Sequence, residues 1–140
     1  MAASQDDAER AIAVINMEEC YRRRLVRGRD LNEWHMQIEQ WASAGNVAAQ
    51  RALLREIIEV TERLVQYDAR EPQPYWHEKL ADLHESTGER WAEVAVVTRW
   101  LACWPEDRRR YDSARARFLR RLQESYAQAS VMVTASIGDK

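Results

Sequence analysis

Two prolines near one end, a glycine in the middle and a proline at the other end divide the stretch PQPYWHEKLADLHESTGERWAEVAVVTRWLACWP, from Pro72 to Pro105. Pro72 and Pro74 forbid the continuation of any helix that reaches them, and they push the residues before them out of the helical region. Trp76, Leu80 and Leu83 then recur at helical spacing up to Thr87-Gly88, where a glycine is the residue best suited to end one helix and turn the chain. A second apolar pattern follows from Trp91, and Pro105 closes it. The segment therefore reads as a helical hairpin, with helices over 75–86 and 90–104. A single hairpin cannot bury its own apolar faces, so the rest of the chain has to supply neighbours.

The flanking sequence supplies helices. Ser4 can cap a first helix over 5–27, with Asp6, Asp7 and Glu9 at its start, Arg22, Arg23, Arg24 and Arg27 at its end, and Gly28 as the stop. Asp30 with Glu33 forms the pattern of a capping box, and Leu31, Trp34, Ile38 and Trp41 mark one face of a second helix over 31–43. Ala44-Gly45-Asn46 ends it, and Asn46 can cap a third helix over 47–69 whose wide apolar face implies contact with more than one neighbour. Tyr111, Ala114, Phe118, Leu122 and Tyr126 mark a last helix, expected from beyond Pro105 to about Gln128. Residues 1–128 read as one helical domain, and 129–140 as a loosely ordered tail.

With 140 residues the chain is long enough for one domain with a real core. Seven Gly and Pro in all favour helices over turn-rich β structure, and 46% hydrophobic with 31% charged residues is a globular balance. Cys20 and Cys103 have no patterned spacing and no apolar run approaches a membrane span of about 20 residues, so the expectation is a cytoplasmic protein with reduced thiols and no membrane partner.

The hairpin resembles a tetratricopeptide repeat through Leu80 and Ala81 in its first helix, Gly88 at the turn, Trp91 and Val94 in its second helix, and Pro105 after it. The resemblance covers about a quarter of the chain, and a step of 34 residues back finds no second copy. It implies stacking of helical hairpins and a protein-binding role, and it supplies no catalytic residue. The fold expected is all-α: about six antiparallel helices, with tetratricopeptide-like stacking in the C-terminal half.

His77 and His84 are seven residues apart, about two helical turns, which is too far for two ligands of one zinc ion. No activated nucleophile and no phosphate-cradling glycine loop is apparent, so no catalytic residue, metal or cofactor is assigned and the chain is expected not to be an enzyme. Between Arg108 and Arg121 there are seven arginines (Arg108, Arg109, Arg110, Arg115, Arg117, Arg120, Arg121) against one aspartate. Such a helix can bind nucleic-acid phosphates, or its arginines can pair with Glu78, Asp82 or Glu85 of the acidic hairpin or with neighbours in the first helix. The helix after Gly88 is apolar nearly all round: Trp91 and Ala95 are expected to face its hairpin partner, leaving Val96, Trp100 and Cys103 as a strip that meets either another helix or another chain. The function expected is a non-enzymatic interaction or scaffold module with a protein partner, self-association as a homodimer included. A nucleic-acid-associated regulator using the arginine helix is the alternative.

Overall fold

A computed structural model describes residues 5–68, 72–103 and 111–138, without the side chains of 15, 16, 66–68 and 129–138. The fold is all-α. Its helices are α1 (Gln5–Arg23), α2 (His35–Ser43), α3 (Val47–Asp68), α4 (Tyr75–Ser86), α5 (Arg90–Leu101) and α6 (Asp112–Gly138). A 3-10 turn, Leu31–Trp34, leads into α2.

Between α1 and that turn lies a small element whose first strand falls inside the helix expected over 5–27. Leu25–Val26 (β1) pairs antiparallel with Arg29–Asp30 (β2). Arg27 and Gly28 form the two-residue loop with φ of 51° and 82°, the positive values that a tight hairpin turn of matching twist needs at both positions. The hairpin is fixed to the core from both ends. Val26 is buried and its carbonyl accepts a hydrogen bond from the Trp34 indole at 3.0 Å, while Arg27 pairs with Glu56 of α3. Asp30 does cap the turn that follows, accepting from the Asn32 amide at 3.0 Å, and it holds Arg24 at 2.9 Å as well.

The α2–α3 and α4–α5 turns are closed in the same way. The Gly88 amide donates to the Glu85 carbonyl and the Glu89 amide to that of His84; Gly45 and Asn46 do the same with Ala42 and Trp41. This double bond pattern satisfies the last helical carbonyls and requires the left-handed backbone that Gly88 (φ 74°) and Gly45 (φ 72°) adopt. Asn46 then caps α3, its Oδ1 accepting from the Ala49 amide at 3.2 Å.

With the two turns superposed, Gly45 on Gly88, the hairpins bury equivalent positions: Trp34 with His77, Ile38 with Ala81, Gln50 with Glu93, Leu54 with Val97, and Ile57 with Trp100. The offset is 43 residues, which is why a 34-residue step finds no copy.

From α2 onwards, each helix packs mainly on its neighbours in sequence. Helices α2, α4 and α6 are linked side by side by Lys79–Glu39 and Arg117–Glu78, both 3.0 Å, and α3 is linked to α5 by Arg99–Glu62 at 2.6 Å. One core lies around Trp34, Ile38, Leu54, Ile57, Trp76 and Leu80, and the other around Ala81, Val97, Trp100, Ala114 and Phe118. Helix α6 continues to Gly138, ten residues beyond the end expected at Gln128, in a stretch that contains no proline and no glycine before its last residue. The described side chains of α1 from Gln5 to Arg22 are all exposed.

Candidate functional site: ion networks and exposed faces

Of the two outcomes left open for the Val96, Trp100 and Cys103 strip of α5, another helix or another chain, the structure shows the first, and Trp100 is not a partner-binding surface. Trp100 is 0% exposed, stacks on Phe118 of α6 with centroids 4.5 Å apart, and donates its indole N–H to the Pro72 carbonyl at 2.9 Å. Val96 is half-buried against both cores, and Cys103 is half-buried near Glu62. Burial, reinforced by the Glu62 charge, pushes the Cys103 thiol up to about 11. The residues expected to face α4 point outward instead: Trp91 is 62% exposed and Ala95 is exposed.

A buried carboxylate marks the difference. Glu93 is 1% exposed, held by Arg121 of α6 at 2.7 Å and approached by Arg90 at 3.5 Å. Bringing Glu93 inward turns the Val94–Val97–Trp100 side of α5 to the core. The observed orientation is the one in which Glu93 meets Arg121 while Thr98 and Arg99 stay outside, Arg99 against Glu62.

Of the four arginines of the patch that are described, Arg117 and Arg121 form an intramolecular clamp. Arg121 holds Asp82 at 2.5 Å and Glu85 at 2.8 Å besides Glu93, and Arg117 holds Glu78 at 3.0 Å. The pairing of this helix with Glu78, Asp82 and Glu85 is one of the outcomes that the sequence left open. Arg115 lies 5.4 Å over the Trp100 ring, and Arg120 is exposed. Arg108, Arg109 and Arg110 lie outside the described residues.

Both α4 histidines are buried against carboxylates, which sequence spacing does not reveal. The His77 ring is 3.0 Å from Glu62, and His84 Nδ1 is 3.5 Å from Glu89. Each carboxylate is also held by an arginine, Arg99 for Glu62 and Arg51 for Glu89. Burial would raise the Glu62 carboxyl, but hydrogen bonds from His77 and Arg99 hold it at about 2. Burial depresses both imidazoles, against the pull of Glu62 and Glu89. Among the described residues no group of three His, Cys, Asp or Glu side chains is placed to hold a metal ion, and no helix is long and apolar enough to cross a membrane.

The exposed apolar groups lie elsewhere. On the α2–α4 layer, Met36 is 76% exposed, and His35 packs its ring on Tyr75 (5.1 Å) and Trp76 (4.6 Å). His35, Met36, Glu39, Gln40, Ser43 and Ala44 line an open groove of about 690 Å³ there. At the other end of the stack, Trp91 meets Tyr126 edge-on at 6.1 Å, both rings exposed. Comparison with known protein families, curated proteins and solved structures finds no match for this chain.

Proposed function

We propose that the chain is a non-enzymatic protein-interaction module that also self-associates. The observation that carries the reading is the α2–α4 face. A methionine three-quarters exposed stands beside the exposed His35 and Tyr75 rings, which pack on the buried Trp76, and over an open groove, with α2 and α4 linked by Lys79–Glu39. Exposed apolar groups gathered on one layer suit a protein partner, with methionine supplying an adaptable contact. The resemblance of the second hairpin to a tetratricopeptide repeat supports the same role. The engagement of Arg117 and Arg121 by carboxylates counts against nucleic acid as the partner, because a paired guanidinium has less to gain from a phosphate.

The test is comparative capture from a lysate of the source cells, using immobilised wild type, Met36→Glu and, as a control on α6, Leu119→Glu. A protein retained by wild type and Leu119→Glu but lost by Met36→Glu supports the reading. Identical capture by all three removes this face from it. Salt-sensitive retention of RNA or DNA in place of protein would replace the reading with the nucleic-acid alternative.

A further inference from the structure

The chain has three histidines, and all three lie on one boundary, that between the α2–α3 hairpin and the α4–α5 hairpin. His35 of α2 packs its ring on Tyr75 and Trp76 of α4. His77 and His84 of α4 face carboxylate–arginine pairs that cross the same boundary. One is Glu62 of α3 with Arg99 of α5; the other is Glu89, between α4 and α5, with Arg51 of α3. The two histidines stand seven residues apart, about two turns or ~10 Å, and Leu80 of the first core lies between them.

The other boundary, between the α4–α5 hairpin and α6, holds no histidine. Its ion pairs include Arg117 on Glu78 and Arg121 on Asp82, Glu85 and Glu93. Histidine is the side chain whose ordinary titration falls between pH 5 and 8. A fall in pH through that range therefore acts on one boundary and spares the other.

Neither buried ring is set to receive a second proton. Glu62 can only accept from His77 Nε2, so a proton taken up by His77 goes to Nδ1, which has no acceptor among the described residues. His77 is 0% exposed, so water does not serve it either. The new charge would be favoured by Glu62 and opposed by Arg99. His84 reaches Glu89 only at 3.5 Å, long for a hydrogen bond, and Arg51 and Arg55 of α3 both oppose a charge on it. Arg117 and Arg121 of α6 are engaged by carboxylates, and Lys79 of α4 by Glu39 of α2. Burial outweighs the carboxylates at both rings and lowers both below the usual 6.5. Rings that meet water once the boundary opens take up protons more readily than rings enclosed in it. Acid therefore favours the open form, and the closed form has its full advantage above about pH 6.5.

We propose that protonation of His77 and His84 in mild acid parts the α4–α5 hairpin from the α2–α3 hairpin while α4, α5 and α6 stay together. The two hairpins are joined in sequence only through residues 69–74, so they can part without breaking a helix. On the interaction reading above, a partner gripping both Met36 of α2 and Tyr75 of α4 would be released by acid. The opening itself does not depend on that reading.

Leu80 and Ala81 are adjacent on α4, yet Leu80 lies in the first core and Ala81 in the second. In a Cys20→Ser, Cys103→Ser background, Leu80→Cys therefore reports the boundary with the first hairpin, and Ala81→Cys the packing against α5 and α6. Labelling by a pyridyl disulfide, which reacts in mild acid, is followed from pH 7.5 to pH 5.5. Each rate is divided by that of the same variant unfolded in urea at the same pH. The relative rate at Leu80→Cys should rise roughly tenfold, while that at Ala81→Cys stays level. Adding His77→Gln with His84→Gln, which cannot titrate, should abolish the rise. If that pair does not fold at pH 7.5 by circular dichroism, His84→Gln alone should reduce the rise. Leu83→Cys and Val97→Cys, against the first and second core, replace either probe that fails to fold. Rates that rise together at both probes mean that the whole fold loosens, and overturn the proposal. Rates level at both probes overturn it too, since the protons are then taken up in place. A rise undiminished in the glutamine variants belongs to another group and overturns it as well.

Discussion

His77 of α4 and Glu62 of α3 meet at 3.0 Å, and Arg99 of α5 closes on the same carboxylate at 2.6 Å. Three helices thus converge on one acidic group. Glu62 stays ionised down to about pH 2 and can only accept, so the His77 nitrogen facing it, Nε2, carries the hydrogen. That leaves His77 Nδ1 as a buried lone pair, and it has no hydrogen-bond partner among the described residues. Seven residues on, His84 sits beside Glu89, with Arg51 on the same carboxylate oxygen. Helix α4 is locked to its neighbours at both ends of its buried face by one arrangement, histidine to carboxylate to arginine.

The histidines predict acid sensitivity. Both imidazoles are depressed below the usual 6.5 by burial, so the folded state resists taking up a proton that the unfolded chain accepts. Their contribution is fully present above about pH 6.5 and is lost as the pH falls from there through the lowered folded values. The urea midpoint should therefore drop between pH 7 and pH 5.5. His77→Gln, which cannot titrate, should flatten part of that slope, although it also lowers the midpoint at pH 7. A wild-type midpoint constant over this range would show that the histidines take up protons in place.

Glu62 predicts a linked change in stability and thiol chemistry. Glu62→Gln removes the partner of Arg99 and His77 and should cost about 1–3 kcal/mol, less than a fully buried pair because Arg99 keeps access to water. The same change removes the negative charge that, after burial, does most to raise the Cys103 thiol. In a Cys20→Ser background, Glu62→Gln should make Cys103 react faster with a thiol reagent at pH 8. An unchanged rate with an unchanged melting temperature would mean that Glu62 does not govern this corner.

The sequence exposed some of this and hid the rest for identifiable reasons. Helices α3 and α4 were legible to within a residue or two because Asn46, Pro74 and Gly88 punctuate them. The clamp of Arg117 and Arg121 on Glu78, Asp82 and Glu85 was legible as an alternative, since an acidic and a basic helix lie close in the chain. The orientation of α5 was not, because hydropathy ranks Glu93 as an outside residue and its partner Arg121 lies 28 positions away. The β1–β2 hairpin was missed because its two strands have only two residues each, too few for a periodic signal. The equivalence of the α2–α3 hairpin to the α4–α5 hairpin was hidden by its spacing and by unlike pairs such as Trp34 with His77 and Gln50 with Glu93. A search at 43 residues anchored on Gly45 and Gly88 would have found it.

Gly88 predicts a backbone penalty free of steric confusion. At φ 74° a side chain is strained whatever its size, yet a Cβ there would meet nothing within 4 Å. Gly88→Ala should therefore cost about 1–2 kcal/mol from conformation alone, with Gly88→Val costing more because its Cβ is branched. Equal melting temperatures for Gly88→Ala and wild type would show that the turn can rearrange without loss.

The two tryptophans of α5 predict opposite outcomes. Trp100 is enclosed by Phe118, Ala81 and Val97, and its indole N–H satisfies the Pro72 carbonyl. Trp100→Phe keeps most of the ring but leaves that buried carbonyl unpaired, and should cost about 1–3 kcal/mol. Trp100→Ala leaves a cavity between α5 and α6 and should cost about 3–5 kcal/mol. Trp100→Glu buries a charge with Arg115 as the nearest cation to the lost ring and should fail to fold, rather than yield a folded monomer as an open strip would. Trp91→Ala removes an exposed ring whose nearby aromatic contact is Tyr126, and should stay within about 1 kcal/mol of wild type. Thermal melts of the four variants under one buffer check the order. A Trp91→Ala loss as large as that of Trp100→Ala would mean that the first face of α5 is covered after all.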